Sequence, residues 1–177
     1  MGAWAGPFLI AALLLAAAGA AKLVDPTNTV GALRRMGVPA PAPLVRFGGA
    51  LETGLAVAAV VTGAPALAVL VAASYLLFTA FVLIALGRGL PIGSCGCFGK
   101  VDTPPSSLHV VVNLGAVVAA LGVARGDSTG IGSALAGQPL AGIPFLLLVA
   151  VGGYAAYTAL TVVPQLRLLR TDREDTT

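Results

Sequence analysis

Five long runs of apolar residues divide this chain of 177 residues, and they constrain its fold more than any other feature. They cover, to within a few residues, 4–21, 44–62, 66–86, 108–124 and 140–163. A helix needs about twenty residues to cross the hydrocarbon core of a bilayer. Charged residues make up only 10 % of the chain, whereas soluble domains carry about 25 %. We therefore predict an all-α integral membrane protein, an antiparallel bundle of four core transmembrane helices with a fifth helix at the C-terminus.

Short polar breaks separate the apolar runs and set the order of the elements. Prolines at 39, 41 and 43 end helical continuity after the first run, and residues 29–36 before them predict a short interfacial helix. The tight turn Gly63-Ala64-Pro65 makes the second and third runs antiparallel neighbours. Pro104-Pro105-Ser106-Ser107 predicts a helix start with serine caps. The predicted organisation is a four-helix bundle at 1–125, a polar loop at 126–138, an additional transmembrane helix at 139–164 and a charged, frayed tail at 165–177.

Basic residues collect on one side of the predicted spans. Of the ten lysines and arginines, all but Arg125 lie in the first or third connection, at the start of the second run or in the C-terminal tail: Lys22, Arg34, Arg35, Arg46, Arg88, Lys100, Arg167, Arg170 and Arg173. Because cytoplasmic loops are enriched in basic residues, this side should face the cytoplasm, with the N-terminus outside. The sequence thus predicts a multi-pass plasma-membrane protein, and its partner is the lipid bilayer rather than nucleic acid.

Glu52 is an acidic residue inside the second apolar run. A carboxylate is costly in lipid, so it should face the bundle or a cation. One interpretation is a carboxylate that handles protons or faces a quinone. The interpretation that we favour is a structural ion pair with Lys22 or Arg46, because buried charges are usually paired.

The only two cysteines lie one residue apart, in a glycine-rich turn between the third and fourth runs. A disulfide between Cys95 and Cys97 would depart from relaxed geometry, and strain makes such a bond labile. It would also close almost no chain, so a structural role is a poor explanation. Gly96 permits the tight bend, and Lys100 and Arg88 favour the reactive thiolate. The spacing therefore favours thiol–disulfide exchange.

Two other interpretations of the cysteines stay open. Cys95, Cys97, Asp102 and His109 could be imagined as metal ligands, but structural zinc sites usually place two to four residues between cysteines, and we predict no metal. The cysteines could also be two thiols without a function. His109 beside a thiol could accept a proton during exchange, or it could simply cap its own helix.

Three motifs stand in the order found in a known membrane family. Gly19-Ala20-Ala21-Lys22-Leu23-Val24-Asp25-Pro26 ends the first run, Glu52 lies in the second, and the turn Cys95-Gly96-Cys97-Phe98-Gly99 follows the third. Together they resemble the MauE family of methylamine-utilisation membrane proteins, which is related to the DoxX-like four-helix bundles. The resemblance covers about residues 4–125 and leaves the fifth run outside.

The resemblance implies a membrane protein that works with a thioredoxin-like partner in forming or maintaining disulfides. In the methylamine system, the family is associated with maturation or export of the disulfide-rich small subunit of methylamine dehydrogenase. The target would thus be an exported thiol protein, whereas the charge bias puts the cysteines in the cytoplasm. Either the topology is inverted, or the turn exchanges with a cytosolic thioredoxin and passes electrons across by a conformational change.

We predict that a thiolate attacks the partner disulfide through a mixed disulfide, with Cys95 as the more accessible sulfur. The reacting residues are Cys95 and Cys97, and the supporting residues are Gly96, Phe98, Gly99, Lys100, Lys22, Asp25, Glu52 and His109. The alternatives are a non-enzymatic assembly or chaperone subunit and a small transporter that depends on Glu52. We predict no cofactor, although a quinone stays open; a quinone-coupled oxidase would normally have a second cysteine pair.

Overall fold

The computed structural model describes residues 3–89, 105–126 and 139–174, with the side chains of 144–162 in the last of these ranges. These residues form six α-helices, and no strand occurs among them. The helices are α1 (Ala5–Val24), α2 (Thr27–Arg35), α3 (Ala42–Thr62), α4 (Pro65–Gly87), α5 (Ser107–Arg125) and α6 (Pro139–Glu174).

Five stretches of the described chain are long and apolar enough to cross a membrane. They are α1, α3, α4, α5 and the part of α6 at Pro144–Val162. The prediction of an all-α integral membrane protein with a fifth C-terminal span is therefore confirmed. The short helix expected at 29–36 is also present, as α2.

The breaks between the helices follow the predicted chemistry, with one exception. Gly63 has a left-handed backbone (φ 65°), caps α3 with its N–H on the carbonyl of Ala59 and precedes Pro65 in the first turn of α4. Ser106 is the N-cap residue of α5, but its side chain makes no capping hydrogen bond to the backbone. The hydroxyl lies 2.9 Å from Nδ1 of His109 instead.

The C-terminal tail departs from the prediction. We expected a frayed segment from residue 165, but α6 continues to Glu174. Helical propensity explains the difference, because leucine and arginine, which alternate with one another here, are among the better helix formers.

Helix α1 occupies the centre of the bundle. Half of its span is buried, against 17–33 % of the other four spans. The backbones of α1 and α3 touch where the two helices cross. A Cβ built on Gly19 would lie only 2.5 Å from the carbonyl oxygen of Gly49. On another side, Tyr75 of α4 donates a hydrogen bond from its hydroxyl to the carbonyl of Ala11, at 2.6 Å.

Neighbouring spans alternate in direction. Gly19 and Gly49 meet near the end of α1 and the beginning of α3, while Trp4 at the other end of α1 packs on Gly122 at the end of α5. One end of the bundle, here called the Lys22 end, therefore holds the C-terminal ends of α1 and α4 and the N-terminal ends of α3 and α5. Residues 90–104, here called the cysteine segment, connect α4 to α5 and so leave and rejoin the bundle at that end.

Candidate functional site

The Lys22 end contains a largely buried ion pair between α1 and α3. Nζ of Lys22 lies 2.5 Å from Oε2 of Glu52, and the two side chains are 9 % and 18 % exposed. The prediction that Glu52 is ion-paired is confirmed. Of the two cations considered, the partner is Lys22, whereas the Arg46 side chain is exposed to the surroundings.

Two glycines bring the charged residues together. Lys22 follows Gly19 by three residues on α1, and Glu52 follows Gly49 by three residues on α3, so each charge shares a helix face with a crossing glycine. A Cβ on Gly49 would lie 2.6 Å from the carbonyl oxygen of Gly19 and 2.9 Å from Cβ of Lys22. The ion pair thus depends on a crossing that only glycine allows.

An aromatic ring is the second contact of the lysine. Nζ of Lys22 lies 4.8 Å from the centre of the Phe78 ring, within range of a cation–π interaction. Phe78 itself meets Tyr75 edge to face, with 5.9 Å between the ring centres. Tyr75 is a packing residue of the core, with 4 % of its surface exposed. The contact of Phe78 with a cation was missed, because it depends on the side chain of another helix.

A cleft of about 280 Å³ opens beside the ion pair, between α1, α2, α3 and α4. Its polar wall is formed by Lys22, Glu52 and Thr29. The remaining lining residues are apolar or glycine: Leu33, Val45, Gly48, Leu77, Phe78 and Phe81. No pattern in the sequence predicts this cleft, although the spacing of Phe78 and Phe81 indicates that they share a helix face.

A smaller cavity of about 30 Å³ lies on the other side of Lys22. Its polar lining consists of Lys22, His109 and Asn113, and its walls include Tyr75 and Leu160. This volume is sufficient for a water molecule, and the polar groups could bind one. His109 is only 3 % exposed, so the structure places it inside the bundle, close to the same lysine.

A family model matches the part of the chain that contains this site. The family model described as methylamine utilisation protein MauE matches residues 1–125. The chain belongs to the MauE family. The match ends with the last residue of α5, so α6 lies outside it, as the sequence resemblance predicted. No curated protein and no solved structure matches the chain.

This chain is therefore a multi-pass membrane protein. Its family is one of proteins involved in methylamine utilisation. Its predicted reacting residues lie outside the described residues, as do the neighbours proposed for them: Cys95, Gly96, Cys97, Phe98, Gly99 and Lys100. Asp102, part of the imagined metal set, also falls there. Within the described part of the chain, no three His, Cys, Asp or Glu side chains are grouped to hold a metal.

Asp25, a supporting residue in the prediction, lies where α1 ends and α2 begins. Its Oδ1 accepts a hydrogen bond from the backbone N–H of Thr27, at 3.1 Å, and another from the Thr27 hydroxyl. A carboxylate at the N-terminus of a helix also interacts favourably with the helix dipole. Asp25 therefore holds α2 in place over the Lys22 end.

Proposed function

We propose that this MauE-family chain is a membrane thiol–disulfide redox protein whose Cys95/Cys97 pair exchanges with a thioredoxin-like partner. The observation that carries the proposal is that the cysteine segment joins the bundle at the same end as the buried polar residues. The cysteine segment leaves α4 and enters α5 at the end of the bundle where Lys22, Glu52 and His109 converge. The family description supports assigning the exchange to methylamine utilisation.

The exchange proceeds in two balanced steps. The Cys95 thiolate attacks the partner disulfide, so that one S–S bond breaks while a mixed disulfide forms and the second partner sulfur leaves as a thiolate. Cys97 then attacks the mixed disulfide, which releases the partner as a dithiol and leaves a Cys95–Cys97 disulfide. The same intermediate serves the reverse direction, in which the chain oxidises the partner.

His109 is proposed as the proton acceptor for this exchange. It lies in the first turn of α5, where the chain has just left the cysteine segment. Its Nδ1 is within 2.9 Å of the Ser106 hydroxyl, and the small cavity joins it to Lys22. An imidazole nitrogen can accept the proton that a thiol must lose before it attacks.

We propose that the Lys22 end faces the cytoplasm. The helix directions bring Arg34, Arg35, Arg46 and Arg88 to this end and Arg125 to the opposite one, which supports the charge-bias argument. Labelling of Cys95 in intact cells with a membrane-impermeant maleimide tests this orientation. No labelling before lysis and full labelling afterwards are expected, while labelling of intact cells would contradict it.

Trapping of the mixed disulfide tests the function. In a Cys97→Ser variant the second sulfur is missing, so a covalent adduct with a thioredoxin-like protein should accumulate and disappear on reduction. The Cys95→Ser/Cys97→Ser variant is the matched control and should form no adduct. If the Cys97→Ser variant forms no adduct and partner maturation is unchanged in the double variant, the chain acts as an assembly subunit instead.

A further inference from the structure

The cleft beside the ion pair has a composition suited to a particular ligand class. We propose that it binds a lipophilic quinone, whose ring contacts Lys22 and Phe78 and which accepts the electron pair of Cys95 and Cys97. This inference rests on the proposed function for the electron donor. The binding site itself consists only of residues in α1 to α4.

The polar wall of the cleft favours an uncharged ligand with acceptor oxygens. Lys22 and Glu52 neutralise each other, so the cleft offers no net charge for an anionic headgroup. An ammonium carries three N–H donors, and Glu52 is the one acceptor bonded to Nζ of Lys22 in the described part of the chain. A ring carbonyl could therefore accept a hydrogen bond from Lys22 without breaking the ion pair.

The remaining walls suit an aromatic ring delivered from the membrane. Phe78 and Phe81 supply two aromatic faces or edges, and Leu77 and Val45 supply aliphatic surface. Leu77, Phe78 and Phe81 belong to a membrane span, so the ligand would enter from lipid. A volume of about 280 Å³ is near the lower limit of small-molecule pockets, about 300 Å³, which fits a ring whose isoprenoid tail stays outside.

The cysteine count explains why a redox carrier is needed. The chain has two cysteines, so it stores one electron pair and must pass that pair on before the next exchange. In the proposed step, the Cys95 and Cys97 thiols lose two electrons and two protons and form one S–S bond. The quinone gains two electrons and two protons and becomes a quinol. The exchange with the partner runs here in the reverse direction, in which the partner dithiol reduces the Cys95–Cys97 disulfide and becomes a disulfide. The quinone then oxidises the two thiols, so the net reaction is oxidation of the partner by the quinone.

Gly48 provides a way to fill the cleft without disturbing the helix packing. It lines the cleft, and a Cβ built on it meets nothing within 4 Å. Gly54 lies on the same helix, has the same open space and is not part of the cleft lining. Gly48→Leu and Gly54→Leu are therefore matched variants. Both gain the same helix propensity, but only the leucine at position 48 would occupy the cleft.

The experiment measures crosslinking of a photoreactive azido-ubiquinone to the full chain in nanodiscs. The wild type and Gly54→Leu should be labelled equally, on peptides from α1 to α4, and Gly48→Leu should lose labelling at least tenfold. Excess ubiquinone-1 should displace the label, whereas an equal excess of farnesol, an isoprenoid without the ring, should not. Equal labelling of Gly48→Leu, label outside the cleft, or displacement by farnesol would overturn the proposal.

A second readout separates this inference from the proposed function. Gly48→Leu combined with Cys97→Ser should still trap the thioredoxin-like partner, because that step needs no quinone. If trapping fails in every background while the label still maps to the cleft, the thiol exchange is wrong and the quinone site stands. If trapping succeeds while the cleft is unlabelled, the quinone site alone is wrong.

Discussion

Replacing Lys22 with Met should destabilise the bundle mainly through Glu52. The substitution leaves a carboxylate beside an apolar cleft, and removal of one partner of a buried ion pair typically costs about 3–5 kcal/mol. The Glu52 side chain is 18 % exposed, so partial solvation should keep the cost near the lower limit, about 3 kcal/mol. Glu52→Gln should cost less, about 2 kcal/mol, because an amide oxygen can still accept from Lys22 and the Phe78 ring remains.

A double-mutant cycle tests whether the pair acts as a unit. Lys22→Met/Glu52→Gln removes both charges, so its cost should be about 2 kcal/mol smaller than the sum of the single losses. The free energy of unfolding can be measured in mixed micelles by raising the SDS fraction and following helicity by circular dichroism. Arg46→Met, at an exposed cation, is the control and should cost under about 0.5 kcal/mol. Additive single losses would refute the ion-pair account.

Three further substitutions test the packing around α1. Gly19→Ala should lower stability by about 1–3 kcal/mol, because its Cβ would overlap α3; Gly54→Ala on open surface should be neutral or stabilising in the same SDS titration. Tyr75→Phe should cost about 1 kcal/mol through loss of its hydrogen bond to a carbonyl of α1. Gly122→Ala should displace Trp4, since the new Cβ would lie 2.5 Å from the indole, and fluorescence of this sole tryptophan should change while helicity does not.

The membrane spans could be predicted because their signal is local. Each apolar run contains enough residues to identify a helix without reference to its neighbours, and the turn at Gly63 and Pro65 carries its own backbone requirements. At the C-terminus the loss of hydropathy marks the end of the membrane span but not the end of the helix. Hydropathy reports on lipid, whereas helix formation also depends on propensity, so α6 continues to Glu174.

The site was predictable only in part, because it depends on which helices touch. The sequence indicated that Glu52 needs a cation, but the choice between Lys22 and Arg46 is made by the crossing of α1 and α3 at Gly19 and Gly49. The cleft and its Phe78 wall arise from four helices together. No single position in the sequence indicates such features. The one pattern that points to the ion pair is the spacing of three residues from Gly19 to Lys22 and from Gly49 to Glu52.

A buried ion pair between Lys22 and Glu52 is not needed for the stability of the bundle alone. Apolar residues of similar size often replace a buried ion pair without loss, and sometimes with a gain, yet here Lys22 borders both the cleft and the cavity that contains His109. A charge pair in that position fits a role in ligand contact and proton movement better than a role in packing. The Lys22→Met/Glu52→Gln variant separates these roles, because it should keep most of the fold and still lose azido-ubiquinone labelling. If it is labelled as well as the wild type, the pair serves the fold only, and the ring must be held by the apolar walls.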